Sequence, residues 1–438
     1  MRSDLPKVLQ PLAGRPLLAH VLDRAHELDA SDVCVVYGHG GEQVRTAFPS
    51  PEIRWALQAQ QLGTGHAMLQ AMPGTPDDNR VLILFGDVPL LTAATLETLL
   101  DGARGDDLLV LTVDMKDPTG YGRILRDGEG VTGIVEEKDA SAAQKKIAEI
   151  NTGVMLCPGR RLKTWLGRLN NDNAQGEYYL TDVIAMAVAD GVAVLGVKAQ
   201  NQVEVMGIND RKQLAEAERA LQARLVDELM RDGVGFADPA RVDIRGKLSC
   251  GRDVFIDVNV VFEGDVTLGN GVRVEASNVI RDSALGDGVV VHPNCHIEGA
   301  VAGNNCEIGP FARLRPGAEL AENVKVGNFV EIKKSSVAEG SKVNHLSYIG
   351  DSEIGVNVNV GAGTITCNYD GANKHRTMIG DGAFIGSGVN LVAPVEIGSG
   401  STIGAGSTIT KNVPADQLSL ERSKQLTVKG WKRPTKKS

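Results

Sequence analysis

Hydrophobic positions along the chain follow two different periods. Up to about residue 200, short β-branched runs alternate with amphipathic stretches. CVVYG (34–38), VLILFGD (81–87), LLVLTV (108–113) and VAVLGV (192–197) predict buried strands, and Leu17–Leu28, Ala93–Leu100 and Leu180–Ala189 predict helices. That alternation predicts an α/β domain whose mostly parallel sheet is covered on both faces. Next comes a helix over 210–232, with Leu214, Leu221, Leu225 and Leu229 on one face and Gly233 as its stop. Beyond it the period becomes six. Apolar residues recur at Ile256, Phe262, Leu268, Val274 and Ile280, then at Leu285, Val291 and Ile297, then at Ile308, Leu314, Leu320, Val326 and Ile332. The register slips by one and resumes at Val337, Val343 and Ile349, then at Ile354 and Val360, and closes with Ile379, Ile385, Leu391, Ile397, Ile403 and Ile409. Neither a helix nor a simple strand has this period, whereas a parallel β-helix of hexapeptide repeats does. One hexad cannot bury its apolar side chain alone, but a stack can. The segment 361–378, GAGTITCNYDGANKHRTM, breaks the register with polar and cationic residues, and excursions from a solenoid are where function tends to sit. The expected organisation is an α/β domain over 1–209, a linker helix over 210–233 and an all-β domain with its tail over 234–438.

Composition adds to this picture. Glycine numbers 51 in 438 residues, and 26 of these fall after residue 250, as a repetitive, tight-cornered fold requires. A net charge of −9 carries no basic footprint for nucleic acid, so an anionic ligand needs a local basic pocket. The six cysteines lie far apart without Cys-x-x-Cys, which argues against a disulfide framework or zinc site and predicts a reducing compartment, the cytoplasm. No window of about 18 apolar residues and no apolar leader occur, so membrane spanning and secretion are not expected.

Several residues stand out chemically. Gly63-Thr64-Gly65 opens a helical stretch, where free backbone N–H groups suit an anion or a base edge; a plain turn is the alternative. Asp87 follows an apolar strand, at a position suited to a Mg²⁺-binding carboxylate or to a helix cap. Arg315 and Lys333 lie eighteen residues apart, one full coil of a triangular solenoid, and with Lys374 suggest a phosphate site rather than scattered surface charge. His345 falls two places after Val343, out of the core register, and is a candidate base or a structural histidine.

The series SDLPKVLQPLAGRPLL, LQAQQLGTGHAM, FGDVPLL, DPTGYGRI, GIVEEKDA, INTGVM and NAQGEYYLTD continues with FARLRPGA, VGNFVEIKKS, NHLSYIGD, NVNVGAGTITCNYDGANKHRT, AFIGSG and STIGAGS. In this order it resembles the bifunctional N-acetylglucosamine-1-phosphate uridyltransferase/glucosamine-1-phosphate acetyltransferase family over essentially the whole chain. The resemblance implies a Rossmann-like nucleotidyltransferase sheet and a left-handed, trimeric β-helix. It implies that Lys7 approaches the phosphates of UTP, Gln58 with Gly63 and Thr64 reads the uracil, and Asp87 with Asn209 holds Mg²⁺. Gly122, Glu136 and Asn151 would hold the sugar phosphate, with Tyr179 and Thr181 nearby. In the second half it implies His345 as the base and Asn368 as a polarising group on the acetyl. Arg315, Lys333, Tyr348, Asn359 and Lys374 would hold glucosamine 1-phosphate, and Ala362, Tyr369, Ser387, Ala405 and Arg422 would line the acetyl-CoA groove between subunits. The basic tail KQLTVKGWKRPTKKS, with Trp431, would be either solvated or placed over a neighbouring subunit's cofactor site.

One departure is plain: the family's first strand and Gly-rich L-A-A-G-x-G-T-R phosphate loop would precede Met1. The expectation is a native start upstream, and, without the loop, weakened uridylyl transfer. Open alternatives are an acetyltransferase only, a nucleotidyltransferase for another sugar with the β-helix serving assembly, and a regulatory or scaffolding subunit.

Overall fold

The six residues Leu108–Val113 are all buried, because both faces of their strand are covered. A computed structural model describes residues 1–38, 41–434 and 436. The chain divides into two units, Met1–Leu221 and Gln222–Ser438.

The elements of the first unit are α1 (Leu17–Glu27), β1 (Val33–Tyr37), α2 (Glu42–Ala47), β2 (Ile53–Leu57), α3 (Thr64–Ala71), β3 (Arg80–Ile83), α4 (Ala93–Asp101), β4 (Leu108–Asp114), β5 (Arg123–Asp127), β6 (Gly130–Val135), β7 (Glu149–Pro158), α5 (Gly159–Leu166), α6 (Asp182–Ala189) and β8 (Val194–Lys198). Six strands form one sheet in the order β3-β7-β4-β8-β6-β5, and β1-β2 form a second, parallel pair. Leu108 and Val110 pack with Trp165, Val183 and Ile184 on one face, while Leu109, Leu111 and Val113 pack with Leu96 and Leu99 on the other. The open edges of β1 and β3 both line one cavity of about 1010 Å³, walled by apolar side chains of α1 and α3.

The expectation of a mostly parallel sheet is corrected. Within the six-stranded sheet only β4 and β8 pair in parallel, since β7 is antiparallel to both its neighbours and β5, β6 and β8 form an antiparallel run. The reason is connectivity: only the short 3₁₀ turn Gln144–Lys146, and no α-helical crossover, lies between β6 and β7, so β7 re-enters from the opposite end. The run VLILFGD also leaves the ladder early. β3 ends at Ile83, and the following residues carry Asp87 out of the sheet.

Helix α7 (Arg211–Arg231) ends at Gly233, whose φ of 97° is glycine's left-handed conformation. In its second half Val226 is buried against the first coils of the solenoid, and Gln222 clamps the Ile244 backbone at both N–H and C=O (2.7 and 2.8 Å).

Every hexad position named above, from Ile256 to Ile409, is buried. A second inward column lies two residues earlier and is smaller: Val254, Val260, Cys295, Cys306, Ala318, Ser335, Ser341, Ser347 and Val389 among others. The sequence pattern concealed it because serine and alanine carry little hydrophobic signal. Ala302 fills the gap between Ile297 and Ile308. Coils pair in parallel, one side forming an 11-stranded sheet and a 17-stranded sheet winding through the rest. Paired residues are 18 apart where all hexads are complete (Phe255↔Arg273) and 17 apart where one loses a residue (Arg273↔Val290). No helix is long and apolar enough to cross a membrane among the described residues. In the tail Trp431 is exposed, and Thr435, Lys437 and Ser438 lie outside the described residues.

Ile332 is fully buried, so Ile332→Ala should cost about 2–5 kcal/mol in denaturant unfolding. Because coils touch only neighbours, hydrogen exchange should quicken in the adjacent coils and not at residues 250–280; uniform loosening would contradict this nearest-neighbour account.

Candidate active sites

In the first unit Lys7 Nζ lies 2.5 Å from Asp87 Oδ2 and 2.9 Å from Asn209 Oδ1. The Ile208 N–H donates to the Asp87 carbonyl (2.9 Å), which brings the Asn209 segment to the end of β3. Two oxygens therefore converge on one cation. Asp87 caps no helix, since Thr92 is the N-cap of α4. Gly63 starts α3 with φ 107°, and a Cβ there would lie 2.6 Å from the Tyr178 carbonyl. The turn is buttressed from that segment: Gly65 N–H donates to Tyr178 O (2.8 Å), and Leu180 N–H donates to Thr64 Oγ1 (3.1 Å). Gln58 is buried beside it, donating to Gly63 O (3.0 Å) and contacting His66 Nδ1 (3.1 Å).

Gly122, Glu136, Asn151 and Thr181 form a second group. Asn151 N–H donates to Gly122 O (2.8 Å), Gly122 faces the Glu136 carboxylate, and Thr181 Oγ1 donates to Glu136 Oε1 (3.1 Å). Burial pushes the Glu136 carboxyl above its ordinary value, with the Thr181 hydroxyl opposing and Asp182 and Asp139 adding to the rise. Tyr179 is buried and accepts from Gln175 Nε2 (2.8 Å).

In the second unit one series of backbone bonds aligns the singled-out residues. Leu346 N–H donates to Asn328 O, Gly363 N–H to His345 O, Gly388 N–H to Ala362 O and Gly406 N–H to Ser387 O, at 2.7–3.1 Å. Asn328, His345, Ala362, Ser387 and Ala405 therefore occupy one column, each two residues after an inward aliphatic, on successive coils spaced about 4.8 Å apart. Small residues continue the column below His345, and Arg422 lies against Gly404 and Gly406 at its lower end. The next corner residue has positive φ in every coil: glycine at 363, 388 and 406, but Phe311, Phe329 and Leu346 above them. The rings of Phe311 and Phe329 stack 5.2 Å apart, and these three side chains are 49%, 55% and 61% exposed.

Arg315 and Lys333 are adjacent on neighbouring coils, with Arg315 N–H donating to Ile332 O (2.9 Å). Arg315 is held by Glu331 (2.8 Å), and the ammonium of Lys333 is depressed chiefly by its contact with Lys374. The expected break over 361–378 is corrected to 368–376, since 362–367 keep to the coil through the ladder strand Ile365–Cys367 and the next strand is Thr377–Ile379. Asn368 opens this loop, is buried and donates to Asp351. Tyr369 bridges to Lys374 across the same loop. Asp370 latches it, accepting from Ala372 N–H and Asn373 N–H (2.8 and 2.6 Å) and pairing with His375 (2.7 Å), contacts that hold its carboxyl far below the usual range. Asn359 pairs with Lys342 one coil before and Phe384 one coil after.

The reading of the sequence missed Asn328, Glu331, Asp351, Asp370 and His66. For Asn328 the signal was present: it lies 17 residues before His345, one shortened coil. The thiols offer no nucleophile, since burial pushes Cys157 up to about 12 and Cys250 and Cys295 to about 11.

Thr181→Val removes the donor that favours ionised Glu136, so the Glu136 pKa should rise further in a carboxyl ¹³C titration. A folded pKa above the unfolded one contributes stability at acid pH that is lost as pH rises through the folded value. The variant's stability deficit should therefore be larger at neutral than at acid pH; the opposite trend would refute the assignment.

Residues 1–173 match the model of the MobA-like NTP transferase domain, and residues 376–411 match that of the bacterial transferase hexapeptide (six repeats). Bifunctional protein GlmU of Azoarcus sp. (strain BH72) is 57% identical over 437 residues, covering 100% of this chain and 97% of that protein. The protein of the same name from Alkalilimnicola ehrlichii is 58% identical over 435 residues, 99% of this chain and 94% of its own, and that from Herminiimonas arsenicoxydans is 56% identical over 436 residues, 100% and 96%. With a nucleotidyltransferase unit followed by a left-handed hexapeptide β-helix, and identity of this order along its whole length, the chain belongs to the bifunctional GlmU family.

Proposed function

We propose that this chain makes UDP-N-acetylglucosamine in two steps: acetyl transfer from acetyl-CoA to glucosamine 1-phosphate, then Mg²⁺-dependent uridylyl transfer from UTP to N-acetylglucosamine 1-phosphate. Support for the first step is the column that puts His345 directly above the Ala362–Ser387–Ala405 groove. The sugar amine attacks the thioester carbonyl, His345 takes its proton, the C–N bond forms and the C–S bond breaks, releasing coenzyme A. Asn368 polarises the acetyl carbonyl. Arg315, Lys333, Tyr348, Asn359 and Lys374 hold the sugar phosphate, whose charge relieves the repulsion between Lys333 and Lys374. Ala362, Tyr369, Ser387, Ala405 and Arg422 line the acetyl-CoA groove.

In the second step the phosphate of N-acetylglucosamine 1-phosphate attacks the α-phosphorus of UTP and pyrophosphate leaves. Gln58, Gly63 and Thr64 read the uracil. Gly122, Glu136 and Asn151 position the sugar, with Tyr179 and Thr181 behind them. The Asp87 and Asn209 oxygens, already focused on the Lys7 ammonium, would hold Mg²⁺, which offsets charge on the phosphates when bound. Lys7 is then free to turn to the triphosphate. We place the enzyme in the cytoplasm and assemble it as a homotrimer, with no nucleic-acid or membrane partner. Support for assembly is the exposed Phe311–Phe329–Leu346 ladder, kept in left-handed backbone at a cost of about 1 kcal/mol or more per residue.

The purified chain should release coenzyme A from acetyl-CoA with glucosamine 1-phosphate, and pyrophosphate from UTP with N-acetylglucosamine 1-phosphate and Mg²⁺. His345→Ala should lower the first rate by about 10²–10⁴-fold and leave the second intact. An unaffected first rate would overturn the assignment of the base, and absence of either product in the wild type would overturn that half of the function. Phe329→Asp should shift sedimentation from an assembled species towards the monomer; unchanged sedimentation would remove the ladder from the interface.

A further inference from the structure

The imidazole of His345 is held by a side chain from the coil above. Its Nδ1 lies 2.8 Å from Asn328 Oδ1, and its Nε2 has no hydrogen-bond partner among the described residues. Asn328 and His345 are register partners on adjacent parallel strands. Both backbones are fixed: Leu346 N–H donates to Asn328 O (3.0 Å), Gly363 N–H donates to His345 O (3.1 Å), and Ser347 Oγ also donates to His345 O (2.8 Å). A short amide side chain reaching along the ladder thus meets the ring with little rotamer freedom left to lose.

The chemistry of that contact is directional. An amide oxygen only accepts, so Nδ1 must carry the proton and donate it. In a neutral ring the lone pair then sits on Nε2, the nitrogen with no partner among the described residues. The reverse tautomer would place a proton where the base must receive one.

We propose that Asn328 is a positioning residue for acetyl transfer, fixing His345 as the Nδ1–H tautomer so that Nε2 is the base. This rests on the reading of His345 as the base. The amide is neutral, so it orients the ring without the added pull towards imidazolium that a carboxylate would exert.

The test is ¹⁵N NMR of the full chain labelled at histidine, with the His345 signals among the 8 histidines assigned by their loss in His345→Gln. The wild type should show a protonated Nδ1 and a bare Nε2. In Asn328→Ala the ring should redistribute towards Nε2–H, and kcat for coenzyme A release should fall about 10- to 100-fold with KM for both substrates unchanged, less than the 10²–10⁴ lost when a general base is removed outright. Nε2–H in the wild type, or native tautomer and native kcat in Asn328→Ala, overturns the positioning role alone. Acetyl transfer surviving His345→Ala overturns the reading of the base itself, and the role of Asn328 falls with it even if the tautomer is as stated.

Discussion

The parallel backbone ladder between coils is the constraint on which the second unit depends. It demands that each coil return its chain to the same place, so an inward aliphatic must meet the aliphatic of the next coil whatever lies between them. A missing residue shortens a coil from 18 to 17 without breaking the pairing, as at Arg273↔Val290. An insertion is tolerated equally well: Asn359 and Phe384 pair although 25 residues apart, and the surplus is expelled as the loop bearing Asn368, Tyr369 and Lys374. The expelled segment contributes little to the core but is pinned at both ends by it. Asp370 supplies the internal latch that such a loop needs, using two backbone donors and His375.

The two units hold their lysines in opposite electrostatic settings. The chain is acidic overall, with a net charge of −9, yet Lys333 and Lys374 lie close enough to depress the Lys333 ammonium. Arg315 adds a smaller push in the same direction although Glu331 anchors it, and Asp351 opposes both. In the first unit the logic is reversed, and Lys7 rests against Asp87 and Asn209. One site crowds like charges that Asp351 and Glu331 only partly oppose; the other balances its lysine against a carboxylate and an amide oxygen.

The solenoid was legible because its signal is redundant: more than twenty apolar residues repeat at one interval, and one exception such as Ala302 does not hide the rest. The α/β unit was legible only in part. Strands flanked by helices declared themselves, as at Leu108–Asp114, but β7 did not. Its residues 149–158 include Asn151, Thr152 and Gly153, which dilute the apolar run, and its direction depends on what precedes it rather than on its own side chains. The site residues with a chemical signature, such as His345 and Asp87, could be singled out by type. Their partners have no such signature: Asn328 could be reached only by counting one shortened coil back from His345, and Glu331 and Asp351 are ordinary surface residues until the fold sets each beside its neighbour.

A column built from one residue per coil makes distance in this unit discrete. The separation between His345 and Ser387 is two coil rises, and no local adjustment can make it one and a half. Lengthening or shortening a loop leaves that separation untouched, whereas duplicating a coil between them would add a full rise while both halves kept their own geometry. Any distance along this column is therefore set by counting coils, and a relative built on the same repeat could change it only by whole steps.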